Sequence, residues 1–193
     1  MRVVDKDYIY PAKPIYVPPH SEAFDRLDAD TNWVAEVKKN GWRMMVRVTP
    51  SNKIELWTRH KTLELSPLPS LRKELTELSL PPDTILDGEL LEHRGKTKET
   101  LMLWGMFKWG GKWLADLPYK ETMWRMSFIP KDSKCIIKPT FVFEGKKKFY
   151  EDVLKQGDEN EGVVIKKLDA CVPFSFSSTP ISRNWIKVKP NAS

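Results

Sequence analysis

Apolar and polar residues alternate through much of this chain, the spacing expected of strands with one buried face. Trp33 to Lys38 and Met44 to Val48 are rich in β-formers and flank Asn40-Gly41, which predicts two strands joined as a hairpin. Ile54–Thr58, Thr84–Leu91, Leu101–Lys108 and Ile136–Phe143 read as further strands, and Gly162–Lys167 and Trp185–Lys189 as the last two. Helical spacing is confined to three places. Ser21 to Leu27 predicts a short helix capped by Ser21, and Leu71, Leu75 and Leu78 recur at helical spacing until Pro81-Pro82 stops them. Lys146 to Gln156 predicts the third, with Phe149, Val153 and Leu154 inward and Gly157 ending it. Residues 112–126 read as irregular or helical, and Pro11, Pro14, Pro18 and Pro19 make 1–20 an extended arm. With no internal repeat, this describes one α+β domain over 1–193, mainly antiparallel sheets with flanking helices.

Composition narrows the class. The chain has 193 residues, 40% of them hydrophobic, which supports a folded core. Its net charge of +6 suits a polyanionic partner, although a solvated basic surface would give the same number. Cys135 and Cys171 stand alone and His20, His60 and His93 are scattered, against a disulfide framework or a Cys/His metal cluster. No apolar run reaches the roughly 20 residues needed to span a bilayer, so a soluble protein without a membrane partner is expected.

Four segments carry candidate chemistry. In Glu36-Val37-Lys38-Lys39-Asn40-Gly41-Trp42-Arg43, strand alternation puts Glu36 and Lys38 on one face and presents Lys38 at a sheet rim. That suits a nucleophile and equally a solvated lysine. In Thr84–Leu91, Asp87 and Glu89 share a face of an otherwise apolar strand, which is costly without cationic or metal partners. Asp87-Gly88 could alternatively be a turn. In Glu161-Gly162-Val163-Val164-Ile165-Lys166 a carboxylate precedes a buried strand with a lysine beyond it, and Gly162 suggests that Glu161 lies in the preceding loop. In Trp185–Lys189, alternation sets Lys187 beside Lys189 and turns Ile186 and Val188 to the core, so an anion between the two ammonium groups would relieve their repulsion.

Taken in order, these segments resemble the covalent nucleotidyltransferase superfamily of DNA ligases, RNA ligases and mRNA capping enzymes. Lys38-Lys39-Asn40-Gly41 is similar to its nucleophile motif, Thr58-Arg59 to its Ser-Arg motif and Asp87-Gly88-Glu89 to its D-G-E motif. Glu161 to Lys166 and Lys187-Val188-Lys189 resemble its last two motifs, and Leu101–Gly111 its base-stacking strand. Glu36 and Arg43 extend the first motif to the form usual in ATP-dependent DNA ligases. The set spans residues 36–189. Asn40 replaces the usual aspartate, and Gly105 stands where those ligases often carry Asp. The sequence ends four residues after Lys189, so the OB-fold domain that usually follows is expected to be missing, naturally or by truncation.

The resemblance implies an enzyme that moves AMP from ATP to Lys38, then to a 5′-phosphate, before a 3′-hydroxyl displaces it. An ordinary lysine, with a pKa near 10.4, is neutral about once in 2,500 at pH 7, and half-neutrality there requires roughly 4.6 kcal/mol. Lys166, Lys187, Lys189 and a divalent metal are the implied sources. Lys187 and Lys189 are the implied α-phosphate clamp, Glu36 the adenine contact, and Trp104, with Phe107 as second choice, the stacking aromatic. Glu89 is the implied ribose or metal contact and Glu161 the metal carboxylate. Arg43 is expected at ribose or nucleic acid, and Arg59 at a nucleic-acid phosphate. Mg2+, with Mn2+ as substitute, nicked duplex DNA or an RNA/DNA hybrid, a monomer, and the cytoplasm of a bacterial or phage-infected cell complete the expectation, with roles in replication and repair. An RNA ligase, a GTP-using capping enzyme, or a catalytically silent nucleic-acid-binding module stay open as alternatives.

Overall fold

The computed structural model describes residues 8–61, 63, 68–93, 96–130 and 133–190, without the side chains of 92, 93 and 96–98; residues 1–7 of the expected arm lie outside it. In chain order the elements are β1 (Tyr10–Pro11), β2 (Lys13–Tyr16), α1 (Glu22–Ala29), β3 (Trp33–Lys39), β4 (Gly41–Val48), β5 (Ile54–Thr58), α2 (Pro69–Glu77), β6 (Thr84–His93) and β7 (Lys96–Trp109). There follow β8 (Lys112–Trp113), α3 (Tyr119–Met126), β9 (Ile136–Ile137), α4 (Lys146–Lys155), β10 (Asn160–Lys167), β11 (Phe174–Ser175) and β12 (Ile181–Val188). Ser21 caps α1, its hydroxyl accepting from the Phe24 amide at 3.3 Å.

Among the described residues the strands form a four-stranded sheet, β2-β12-β10-β3, a larger sheet built on β5-β4-β6-β7-β8 with β9 beside β7, and a short β1-β11 ribbon. Pairing is antiparallel except for β2 on β12 and β9 on β7. The α+β class with mainly antiparallel sheets is what alternation along the chain predicts. None of the described helices is long and apolar enough to cross a membrane.

The expected hairpin at Asn40-Gly41 does not form. β3 pairs with β10, whereas β4 pairs with β5 and β6, so the chain changes sheets at Asn40. The physical reason lies in the packing at Gly41. A Cβ there would come within 2.4 Å of the Leu90 carbonyl oxygen and 2.7 Å of Glu89 Cγ, so the glycine serves close approach to β6 rather than a tight turn. Asp87-Gly88 likewise lies inside β6 and not at a turn. Glu161 is not in a loop: β10 begins at Asn160, and Glu161 is the extra residue of a bulge between Asn160, opposite Lys39, and Gly162, opposite Lys38. Ile136–Phe143 keeps only two strand residues, because the chain leaves β7 after Ile137 and touches β3 again through the single bridge Val142–Ala35.

The layers follow from alternation. One face of the four-stranded sheet (Ala35, Val163, Ile165, Ile186 and Val188) packs on Phe24 and Leu27 of α1 and Tyr150 and Val153 of α4. Phe149 and Leu154, expected inward, are only partly buried there. The outer face of the larger sheet (Met44, Val46, Leu86, Leu90 and Leu101) packs on Leu71 and Leu75 of α2 and Met126 of α3. Val34, Met45, Ile85, Phe107, Tyr119 and Trp185 fill the space between the sheets. From that cluster, each facing strand turns polar two residues on: Val34 leads to Glu36 and Lys38, Met45 to Arg43, Ile85 to Asp87 and Glu89, and Trp185 to Lys187. An apolar inter-sheet layer thus opens into a charged cleft.

Gly162 holds the bulge at φ +139°, where a Cβ would meet the Val188 carbonyl oxygen at 2.2 Å. Gly162→Ala should therefore lower folding stability by about 1–3 kcal/mol, the usual cost of forced backbone strain. Urea unfolding checks it; an unchanged midpoint would contradict this geometry.

Candidate active site

Glu36 and Lys38 project from β3 into the cleft, joined on its walls by Arg43, Glu89, Trp104 and Lys166, with Pro14, Val164 and Trp185 completing the lining. Lys38 Nζ donates to Glu161 Oε2 at 2.6 Å, and both side chains remain partly exposed at the mouth. The bulge makes this contact. It inserts Glu161 opposite the Lys38–Lys39 step, where a regular ladder would have no residue to spare.

Deeper in, Glu36 and Lys166 are almost fully buried and face one another, Nζ to Oε2 at 2.9 Å. The other carboxylate oxygen of Glu36 accepts a short hydrogen bond from Tyr119. Lys166 also donates to the Trp104 carbonyl at 3.1 Å and the Tyr119 hydroxyl at 3.0 Å, which occupies all three of its protons. It lies over the rings of Tyr119 and Trp185, 4.6 and 4.7 Å from their centroids. Burial pushes the Glu36 carboxyl up from its ordinary range, against the opposing pull of Lys166 and Tyr119. Lys166 is pushed down by burial against the pull of Glu36.

Asp87, whose burial requires a cation, finds one in Arg43: Nε to Oδ1 at 2.9 Å and Nη2 to Oδ2 at 2.5 Å. Arg43 Nη1 reaches the Ala12 carbonyl at 3.2 Å, tying the N-terminal segment to the cleft wall. Glu89 lies one turn of the alternation further out. Its carboxyl is pushed up to about 7, chiefly by burial; Lys38 and Arg43 lower it, and Asp87 and Glu161 raise it.

Trp104 and Phe107, the first and second choices for the stacking aromatic, occupy different places. Trp104 lines the cleft, whereas Phe107 is fully buried beside Phe174. Arg59 lies outside this cleft, in an adjoining depression with Trp42 and His60 that shares Arg43 and Glu89 with it. Lys187 stands opposite Val164, itself opposite Glu36, so the three form one cross-strand row. The Lys189 backbone abuts Gly162, opposite Lys38. Neither Lys187 nor Lys189 enters an ion pair among the described residues. Sequence spacing gave no hint of Tyr119, which comes from a stretch without clear periodicity, nor of Arg43 as the partner of Asp87.

Two facing, mainly antiparallel sheets with a cleft between them are a fold shared with solved ATP-dependent DNA ligase domains. The ligase domain of M. tuberculosis LigD superposes with a TM-score of 0.66 at 18% identity, over 93% of this chain and 59% of that one. The ATP-dependent DNA ligase from bacteriophage T7, in complex with ATP, gives 0.59 at 13% identity, over 94% and 69%. In sequence, the chain is 27% identical to the SPbeta prophage-derived DNA ligase-like protein LigB of Bacillus subtilis (strain 168), across 82% of this chain and 62% of that protein. The chain thus spans about three-fifths of the length of that curated relative. No protein-family model matches it.

Glu89 sets a pH signature. A carboxyl raised to about 7 in the fold from an ordinary 4.5 favours folding fully below pH 4.5 and loses that contribution as pH rises through 7. Glu89→Gln should therefore match the parent at pH 4 and exceed it by about 2 kcal/mol at pH 8, allowing for the group's partial exposure. Chemical unfolding at the two pH values checks this; equal stabilities at pH 8 would show that Glu89 ionises without penalty.

Proposed function

We propose that this chain is the catalytic core of an ATP-dependent DNA ligase, with Lys38 as the residue that carries AMP. The observation that supports it best is the placing of Lys38 at the mouth of a cleft with Glu161 at 2.6 Å, the Glu36–Lys166 pair at the floor and Trp104 on the wall. The T7 ligase, solved with ATP, shares the fold, which supports ATP as the donor.

In this reading Lys38 Nζ, having lost a proton, attacks the α-phosphorus of ATP; the N–P bond forms as the bond to pyrophosphate breaks. A 5′-phosphate oxygen at a nick then attacks the same phosphorus and frees the lysine. The 3′-hydroxyl, losing its proton, attacks the 5′-phosphorus, and AMP leaves as the phosphodiester closes. Lys187 and Lys189 supply fixed positive charge where negative charge grows on the phosphate, an effect strongest in a site shielded from water. Glu161, bonded to the nucleophile, holds Lys38 at the cleft mouth until the phosphate arrives. Trp104 offers a flat face to the base, and the net charge of +6 favours a duplex nucleic acid, nicked DNA or an RNA/DNA hybrid.

Mg2+ fits the same place. Among the described residues no group of three or more metal-binding side chains gathers. Mg2+, however, is commonly held by one or two carboxylates plus phosphate oxygens. Glu161 is near enough to Glu89 to raise its proton affinity, which puts two carboxylates within reach of one cation. They would hold the ion, which would offset triphosphate charge.

Incubation with ATP and Mg2+ should add one AMP to Lys38, seen by mass spectrometry of the digested protein. Lys38→Ala should abolish the adduct and Lys39→Ala should keep most of it; the reverse would move the nucleophile. GTP in place of ATP should give far less adduct, and nick sealing on matched DNA and hybrid duplexes tests the later steps. Trp104→Ala should weaken ATP binding by about 1–3 kcal/mol, the range for base–aromatic stacking. Phe107→Ala should act on stability instead, by about 3–5 kcal/mol, as a core truncation does.

A further inference from the structure

Tyr119 is fully buried, 83 residues from Glu36 in the chain, and its hydroxyl sits where three elements meet. It contacts the Glu36 carboxylate on β3, the Lys166 ammonium on β10 and the Trp104 carbonyl, 3.1 Å away, on β7, while its ring meets that of Trp185 on β12 edge-on. A phenol has one proton to give. With an ammonium donating to its oxygen and an anionic carboxylate in short contact, that proton goes to Glu36.

The protons available at this end of the cleft limit what Glu36, Lys166 and Tyr119 can offer a ligand. All three Lys166 protons are spent on Glu36, Trp104 and Tyr119, and the Tyr119 proton is spent on Glu36. Glu36 takes one bond on each oxygen, yet an ionised carboxylate has about four acceptor sites. What these three groups leave toward the cleft is acceptor capacity alone, and it is Glu36 that supplies it. The Trp185 indole N–H, buried in the same lining without a hydrogen-bond partner among the described residues, is a donor outside this set. An acceptor-only carboxylate favours a base edge that presents an amino group and opposes one that presents a carbonyl oxygen.

We propose that Tyr119 is a positioning residue for nucleotide selection, its hydroxyl holding Glu36 ionised and oriented so that the cleft accepts a 6-amino purine and rejects a 6-oxo purine. This rests on the reading of the cleft as the ATP site. Tyr119 touches no nucleotide in this scheme; it acts through Glu36. The groups facing Glu36 are Lys166 from β10, Tyr119 from α3 and, at longer range, Asp87 from β6, of which Asp87 alone favours its protonation. Removing the phenol oxygen takes away one of the contacts that keep Glu36 charged, so the acid limit of ATP use must move to higher pH.

The experiment is Tyr119→Phe in the full chain, assayed by Lys38 adenylation with ATP and with GTP, with melting curves to establish folding. The expected result is a KM for ATP raised about tenfold or more with the maximal rate largely kept. The preference for ATP over GTP should fall by a similar factor and the acid limb should shift upward in pH. A buried site built to bond a substrate group loses discrimination when its geometry loosens. In a Glu36→Gln background the further change Tyr119→Phe should add nothing to the loss of discrimination, because the phenol works through that carboxylate. A Tyr119→Phe protein that melts lower but keeps the parent KM, ATP preference and pH profile would overturn the proposal and leave Tyr119 a core residue. Full additivity with Glu36→Gln would overturn it too. If the parent chain forms no adduct with ATP, the ligase reading fails instead, and the two failures are distinct.

Discussion

The chain must pass from one sheet to the other within a single residue, Asn40, and the architecture of the site depends on that crossing. β3 ends at Lys39 and β4 begins at Gly41 in a different sheet. Lys38 and Arg43 are therefore five positions apart in sequence yet on opposing walls of one cleft. The crossing is possible because β4 lies so close to β6 at Gly41 that no side chain fits. A matching device operates on β10, where the Gly162 bulge delivers Glu161 to Lys38. Both glycines act by excluding a Cβ from backbone, one opposite the candidate nucleophile and the other three residues beyond it.

Between the sheets, burial sorts the charges by depth. At the floor, Lys166 and Glu36 are fixed to each other and to Tyr119; beside them Asp87 is fixed to Arg43. Such pairs seldom stabilise a fold more than apolar residues of the same shape would, and breaking one by removing a partner is costly. Their retention makes physical sense as a means of presenting one defined arrangement of acceptors, which an apolar floor could not do. The apolar cluster behind them, with Phe107, Tyr119 and Trp185, keeps water from loosening the arrangement.

Much of this was legible from period and order. The two-residue alternation gives the strands and their buried faces, since Ile186 and Val188 go inward while Lys187 does not, and Ser21 marks the start of α1. The costly same-face pair in β6 also pointed correctly to a missing cation for Asp87. What alternation cannot give is partnership between strands. Asn40-Gly41 has the composition of a hairpin turn, and only the packing of Gly41 against Leu90 shows otherwise. Nor can it show a bulge: Gly162 announced an irregularity at Glu161, but whether a glycine makes a loop or a one-residue insertion depends on the neighbouring strand. Tyr119 was invisible for a related reason. Its role arises from contacts 83 and 47 residues away, and its own helix carries no motif.

Nearer the mouth the charges are less committed, and this is where the proposed chemistry would change them. Lys38 and Glu161 are paired but partly exposed, so separating them costs far less than separating the buried pair below. Glu89, at about 7, gains or loses its proton near neutrality. Under the proposed function, fixed charge stands where a base would be selected and adjustable charge where bonds would be made. The first would ask for rigidity because discrimination is a difference between two fits; the second would have to accommodate the proposed nucleophile as it changes from ammonium to amine to phosphoramidate. The gradient along β3, from Val34 through Glu36 to Lys38, meets both demands on one face of one strand.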